Sequence, residues 1–229
     1  MLDLYDIIID AFNIMLGVEE YYFTIVITSL YVSVTATIVA SLIFIPLSAL
    51  IVVNKFFLKK FLQIIINSLL ALPPVVIGLF LYIIFSRMGI FGDLDLLYTS
   101  SIMIIAQVIL IIPIIMTLAI NSIHGIYIKY REYLLSIHSS QVSIIITILW
   151  ESRKDIIVGV LVAFGRVLSE VGAIIIVGGN IENLTRTMTT GIVLETSKGE
   201  LSIALSLGIT LLLISFTLNM LIYLLRTNE

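Results

Sequence analysis

Two residues set the problem this sequence has to solve. Within the apolar run Ala163–Asn180 (AFGRVLSEVGAIIIVGGN) lie an arginine and a glutamate, Arg166 and Glu170. A charge at the centre of a membrane-spanning helix costs about 2.5–3.5 kcal/mol on insertion scales, so such groups are rarely accidental. Their i,i+4 spacing puts both side chains on one helical face, where they can neutralise one another. Two uses follow: a self-paired staple packed against neighbouring helices, or part of a gate or proton relay. A bare glutamate beside a path would repel an anion, so an anionic cargo favours the staple.

Other chemistries find no residues to carry them. The sequence contains no G-x-x-x-x-G-K-[ST], so it has no loop to cradle nucleotide phosphates by itself. It has no HExxH, no cysteine, and two histidines, His124 and His138, which leaves no metal or thiol constellation. The net charge of −3 argues against nucleic acid as a partner. Transport or signalling remains, rather than catalysis.

The elements that must position the pair are membrane spans. Of 229 residues, 60% are hydrophobic and 12% charged, against about 25% charged in soluble domains. Thr24–Val53, Phe61–Ser86, Leu96–Ile128 and Leu201–Leu225 contain no Asp, Glu, Lys or Arg. Each exceeds the ~20 residues needed to cross a ~30 Å hydrocarbon layer. The alternating segments of about ten residues that a β-barrel needs are missing. An all-α membrane protein is expected, with spans near 25–53, 61–86, 98–120, 156–178 and 201–225. A single membrane domain then covers 22–229. Residues 1–21 are too short and too acidic to span and lack the basic start of a secretory signal. They read as an extracytoplasmic, interfacial or solvated segment.

Three details refine the spans. Pro73 and Pro74 interrupt the second, as a packing kink or as a bend lining a path, and Pro113 lies in the third. The charged loop 129–155 can hold a short helix outside the membrane around Glu132, and 180–200 reads as a polar external segment. Eight basic residues (Lys55, Lys59, Lys60, Lys129, Arg131, Arg153, Lys154, Arg226) fall on one side and three (Arg87, Arg186, Lys198) on the other. The basic side is cytoplasmic by the positive-inside rule. The N-terminus is therefore expected outside, and the C-terminus and the 129–155 loop inside.

The loop from Glu132 to His138 (EYLLSIH) resembles the cytoplasmic E-A-A motif of importer permeases of the ATP-binding-cassette (ABC) class. That pattern runs E-A-A-x-x-x-G and, nine residues on, I-x-L-P. Glu132 and Ile148 fall in register, while Tyr133 and Leu134 replace the alanines, His138 the glycine, and Trp150-Glu151 the Leu-Pro. More specific is Ala163–Ala173, continuing through Gly178-Gly-Asn180 to Thr185–Thr190 (TRTMTT) and Leu194–Gly199 (LETSKG). This combination resembles the tungstate-type permeases. Molybdate permeases share the R-x-L-x-E-x-G-A core and the G-N. Ala71–Leu79, Ala106-Gln107 and Pro113 fit as well, so the resemblance covers about residues 20–225.

The resemblance implies the five-helix core of a type I ABC importer permease with a cytoplasmic coupling helix, in the plasma membrane. It implies a second permease copy, two ABC ATPase subunits that bind ATP and Mg, and an extracytoplasmic oxyanion-binding protein. No cofactor is expected in this chain, which would touch membrane lipid and would not itself be an enzyme. Glu132, Ser136, His138 and Ser139 would meet the ATPase. Arg166 and Glu170 would support a gate, and Pro73, Pro74, Gly172 and Asn180 would line the path. Tungstate is the first cargo and molybdate the alternative. A proton-coupled carrier using Glu170 is a competing reading, although such carriers are usually built from repeats and none is visible here.

Overall fold

The computed structural model describes residues 4–17, 19–54, 57–136 and 140–227, apart from the side chains of Leu4 and Leu135. Ten α-helices carry these residues, and no strand occurs among them. They are α1 (Leu4–Leu16), α2 (Glu20–Val53), α3 (Lys59–Leu69), α4 (Pro74–Phe85) and α5 (Ser100–Ser136). Then follow α6 (Gln141–Glu151), α7 (Arg153–Leu168), α8 (Gly172–Gly178), α9 (Met188–Lys198) and α10 (Leu201–Thr227). Helices α2, α5 and α10 are each long and apolar enough to cross a membrane alone. The pairs α3/α4 and α7/α8 qualify only together, bent by 98° and 59° at their breaks. The expected second and fourth spans are thus interrupted helices.

Small residues make the long seam. On α2, Ser29, Val32, Ser33, Ala36, Thr37 and Ala40 are buried at three- and four-residue spacing. Side chains this small let backbones approach where no hydrophobic effect drives helices together. The Ser29 and Thr37 hydroxyls donate to the carbonyls of Ile25 and Ser33. Val32 joins Ile77 and Leu81 of α4, Met103 of α5, and Ala173, Ile174 and Val177 of α8 in one core. A second core gathers Val52, Ile120, Ile123, Leu134, Ile144 and Ile148 where α2, α5 and α6 meet. Outward faces are apolar, as lipid requires, with Leu42, Leu212 and Phe216 exposed.

One expectation is corrected: α5 continues to Ser136, so the Glu132 run extends that helix instead of forming a separate one. The short separate helix is α6, Gln141–Glu151. Within the polar segment 180–200, Thr185, Arg186, Thr187, Met188, Thr189, Thr190 and Glu195 are all buried. Helix α1 is amphipathic, burying Ile7 and Ala11 while Tyr5 and Leu16 stay exposed, as an interfacial segment would.

Candidate functional site

The two interrupted spans meet. Beyond α3 the chain tightens into 3₁₀-type bonds, Ala71 N–H to Ser68 and Leu72 N–H to Leu69, both at 3.2 Å. Pro73 precedes α4 in an extended conformation and Pro74 takes its first position. Proline suits that position because a helix start cannot use the missing N–H groups anyway. Val76 and Ile77 then both bond the Pro73 carbonyl, at 3.0 and 3.4 Å.

The second break has no proline. Between α7 and α8 the Glu170 carboxylate turns back on the chain, and Oε1 accepts from the N–H groups of Gly172 at 2.8 Å and Ala173 at 3.3 Å. These are donors that a helix start leaves orphaned. Arg166 Nη2 lies 3.9 Å from Glu170 Oε2, too far for a hydrogen bond. The expected ion pair is therefore present but loose, and the two residues do not share one continuous helix. Glu170 is buried, whereas the Arg166 side chain is 54% exposed. The staple reading holds for the glutamate and not for the arginine.

Side chains from elsewhere collect the carbonyls this break frees. Gln107 of α5 donates to the Val167 carbonyl at 3.4 Å. Thr189 donates to the Glu170 carbonyl at 2.8 Å, and Thr185 to that of Gly178 at 2.6 Å. Thr187 caps α9 through a reciprocal box with Thr190. The Met188 N–H reaches Ser29 of α2 at 2.6 Å. The buried threonines are thus the polar filling around the interrupted span. Their density, four in the six residues 185–190, was the available signal.

Glycines fix how closely the second halves approach. A Cβ on Gly78 of α4 would stand 2.8 Å from the Ala173 Cα of α8, and one on Gly172 would stand 2.6 Å from Val75 Cγ2. Pro73, Pro74 and Gly172 therefore come together at the breaks. Asn180 does not: it follows Gly179 at the far end of α8, with a positive φ of 52°. Its Nδ2 reaches the Thr190 carbonyl at 3.4 Å, and its Oδ1 is buried without a partner among the described residues. Beside both breaks lies a small cavity of about 30 Å³, bounded by Leu69, Leu72, Ile111, Ile114, Arg166 and Glu170.

A second polar cluster ties the 180–200 segment to α2. Arg186 donates to the Tyr21 hydroxyl at 2.7 Å, to Glu182 at 3.3 Å and to the Asn180 carbonyl at 3.3 Å. Tyr21 in turn donates to Glu195 at 2.5 Å, which also holds Lys198 at 3.0 Å. Burial alone would raise the Glu195 carboxyl. The bonds from Tyr21 and Lys198, with the charges of Lys198 and Arg186, outweigh it and hold the group below its ordinary value.

At the other end of the bundle, Glu132 and Ser136 are exposed on the last turns of α5, and Ser136 donates to the Tyr133 carbonyl at 2.7 Å. His138 and Ser139 lie outside the described residues. Leu134, at an alanine position of the E-A-A pattern, is buried with Ile144 and Ile148, while Tyr133 points outward. Ser140 caps α6, and Gln141 donates to Asn54, so this corner is braced against the end of α2.

Together these features define a multi-pass helical membrane protein with two interrupted spans joined near mid-bundle. No protein-family model matches the chain. It is 35% identical over 213 residues, 93% of each chain, to the tungstate uptake system permease protein TupB of Peptoclostridium acidaminophilum. It is 40% identical over 153 residues to that of Campylobacter jejuni, a match spanning 67% of this chain and 64% of the relative. A probable anion ABC transporter permease protein of Haloferax volcanii is 34% identical over 152 residues, 64% of this chain and 66% of its own. The chain belongs to the family of tungstate uptake system permease proteins.

Proposed function

We propose that this chain is the membrane subunit of an ATP-driven importer of tungstate. The relationship to the Peptoclostridium permease over 93% of both chains carries this reading. Molybdate has no observation in its favour over tungstate. Two copies form the translocation path, and a separate ATPase holds nucleotide and Mg. A binding protein outside the cell delivers the oxyanion. The corner between α5 and α6, with Glu132 and Ser136 exposed, docks on the ATPase on the cytoplasmic side. Its bracing on α2 through Gln141 and Asn54 lets a push there move the bundle. The carrier alternative is the weaker one, because the Glu170 carboxylate is engaged by two backbone N–H groups and is poorly placed to shuttle a proton.

The test is uptake by proteoliposomes holding the permease, its ATPase and its binding protein. Tungstate accumulation should require ATP and the binding protein and survive an uncoupler. Accumulation that collapses with the uncoupler while ATP is constant would overturn the reading. Glu132→Ala should lower uptake and ATPase co-purification together.

A further inference from the structure

Helices α3 and α5 enclose a second cavity, of about 170 Å³, lined by Gln63, Asn67, Thr117 and Asn121 over Ile66 and Ile120. No carboxylate borders it. Thr117 donates to Asn67 Oδ1 at 3.2 Å. The amide N–H groups of Gln63, Asn67 and Asn121 take no partner among the described residues. Unpaired amides on spanning helices are costly against hydrocarbon and are expected where water or a polar ligand comes.

This cavity and the one at the breaks share no lining residue but lie along the same two helices. Ile114 borders the first cavity, and Thr117 and Asn121 border the second, on one face of α5 at three- and four-residue spacing. From Ile114 to Asn121 the helix rises roughly 10 Å. The groove therefore carries the Arg166 guanidinium at one end and neutral donors at the other. Arg166 lies roughly 20 Å along α7 from Arg153, well inside a ~30 Å hydrocarbon layer if α7 starts near its surface. Over half its side chain is open, and its one carboxylate partner among the described residues, Glu170, stands 3.9 Å away with Oε1 already engaged at the start of α8. A guanidinium fork matches oxyanion oxygens, and amides and a hydroxyl can replace hydration without holding a dianion tightly.

We propose that Arg166, Gln63, Asn67, Thr117 and Asn121 form a transit site for a tetrahedral oxyanion along the α3/α5 groove. The proposal rests on the importer reading above and assigns its cargo a route. A phosphate headgroup of a lipid shares this chemistry, and the experiment separates the two.

The chain contains no cysteine, so single-cysteine variants report one position each. In the assembled complex, Asn121→Cys and Thr117→Cys should react with a charged, water-soluble thiol reagent. The rate should exceed that of the exposed α10 position in Leu212→Cys by about tenfold or more. Tungstate should slow that reaction, and changing the anionic lipid content should not. Arg166→Gln should lower tungstate uptake about tenfold, the scale of one lost charge-assisted bond, and more than it lowers ATP hydrolysis. Arg166→Lys should recover part of it. Asn121→Cys reacting no faster than Leu212→Cys, or responding to lipid and not to tungstate, would overturn the proposal. So would Arg166→Gln transporting at the wild-type rate. Should Arg166→Gln not assemble, the double variant Asn67→Leu, Asn121→Leu takes its place, with wild-type uptake again the overturning result. Loss of wild-type uptake itself would count against the importer reading, while the labelling comparison would still decide whether the groove is wet and tungstate-sensitive.

Discussion

The two interrupted spans reach related bends by opposite means. At α3/α4 the donors of a helix start are deleted, since Pro73 and Pro74 have no N–H to satisfy. At α7/α8 the donors are present and a carboxylate captures them. A proline break is self-contained: its geometry follows from ring closure and a local turn. The glutamate break depends on partners far along the chain, with Gln107 and Thr189 collecting the carbonyls it frees and Thr185 that of Gly178 at the other end of α8. A residue that looks ionic in sequence can therefore be part of the backbone's hydrogen-bonding in space. That use leaves Arg166 only a loose ion pair with Glu170, at 3.9 Å, and a half-open side chain.

The comparison can be broken most forcefully at Glu170. Glu170→Ala leaves two buried N–H groups without an acceptor and should cost about 3 kcal/mol, read as a lower Tm and less assembled complex in detergent. Glu170→Gln keeps an acceptor and should do less harm, impairing assembly or coupling more than apparent affinity for tungstate. Next comes the contact that joins the two breaks. A methyl on Gly78 would meet backbone, which cannot move aside, so Gly78→Ala should cost about 2 kcal/mol by thermal unfolding.

A smaller effect contrasts the two buried carboxylates. Glu195 caps no helix start; it is held by Tyr21 and Lys198. Because its folded pKa is depressed, its stabilisation is present above the ordinary value of 4.5 and lost as pH falls through the folded value. Glu195→Gln should lower stability by about 1 kcal/mol near neutrality. It should also flatten the fall of Tm below pH 4.5 expected for the wild type. The smallest effect is expected at the proline break. Pro74→Ala supplies an N–H at a position that never needed one, so its cost should stay near 0.5 kcal/mol. A loss there as large as that of Glu170→Ala would remove the distinction between the two breaks.

Part of the site was legible from residue types. Pro73-Pro74 announces a bend wherever it falls, and Arg166 and Glu170 stand out in any apolar run. The threonines were harder to read, because Thr185–Thr190 has the composition of a solvated loop. Only the position of α8 and α2 around it shows that its hydroxyls have buried carbonyls and Ser29 to meet. The end of α5 was misjudged for a related reason. The charged residues from Lys129 onward signal departure from lipid, but nothing in them stops a helix, and α5 continues to Ser136.

By itself the sequence determined the class, the apolar runs long enough to cross and the family resemblance. These depend on local quantities: run length against hydrocarbon thickness, proline's missing donor, and motif spacing. Tertiary structure decided which atoms satisfy the interrupted backbone, which charge is left open, and which polar side chains share a groove. Those outcomes depend on partners far apart in the chain, 60 residues between Gln107 and Val167 and 159 between Ser29 and Met188. A hydrogen bond or cavity across that separation exists only once the helices have packed.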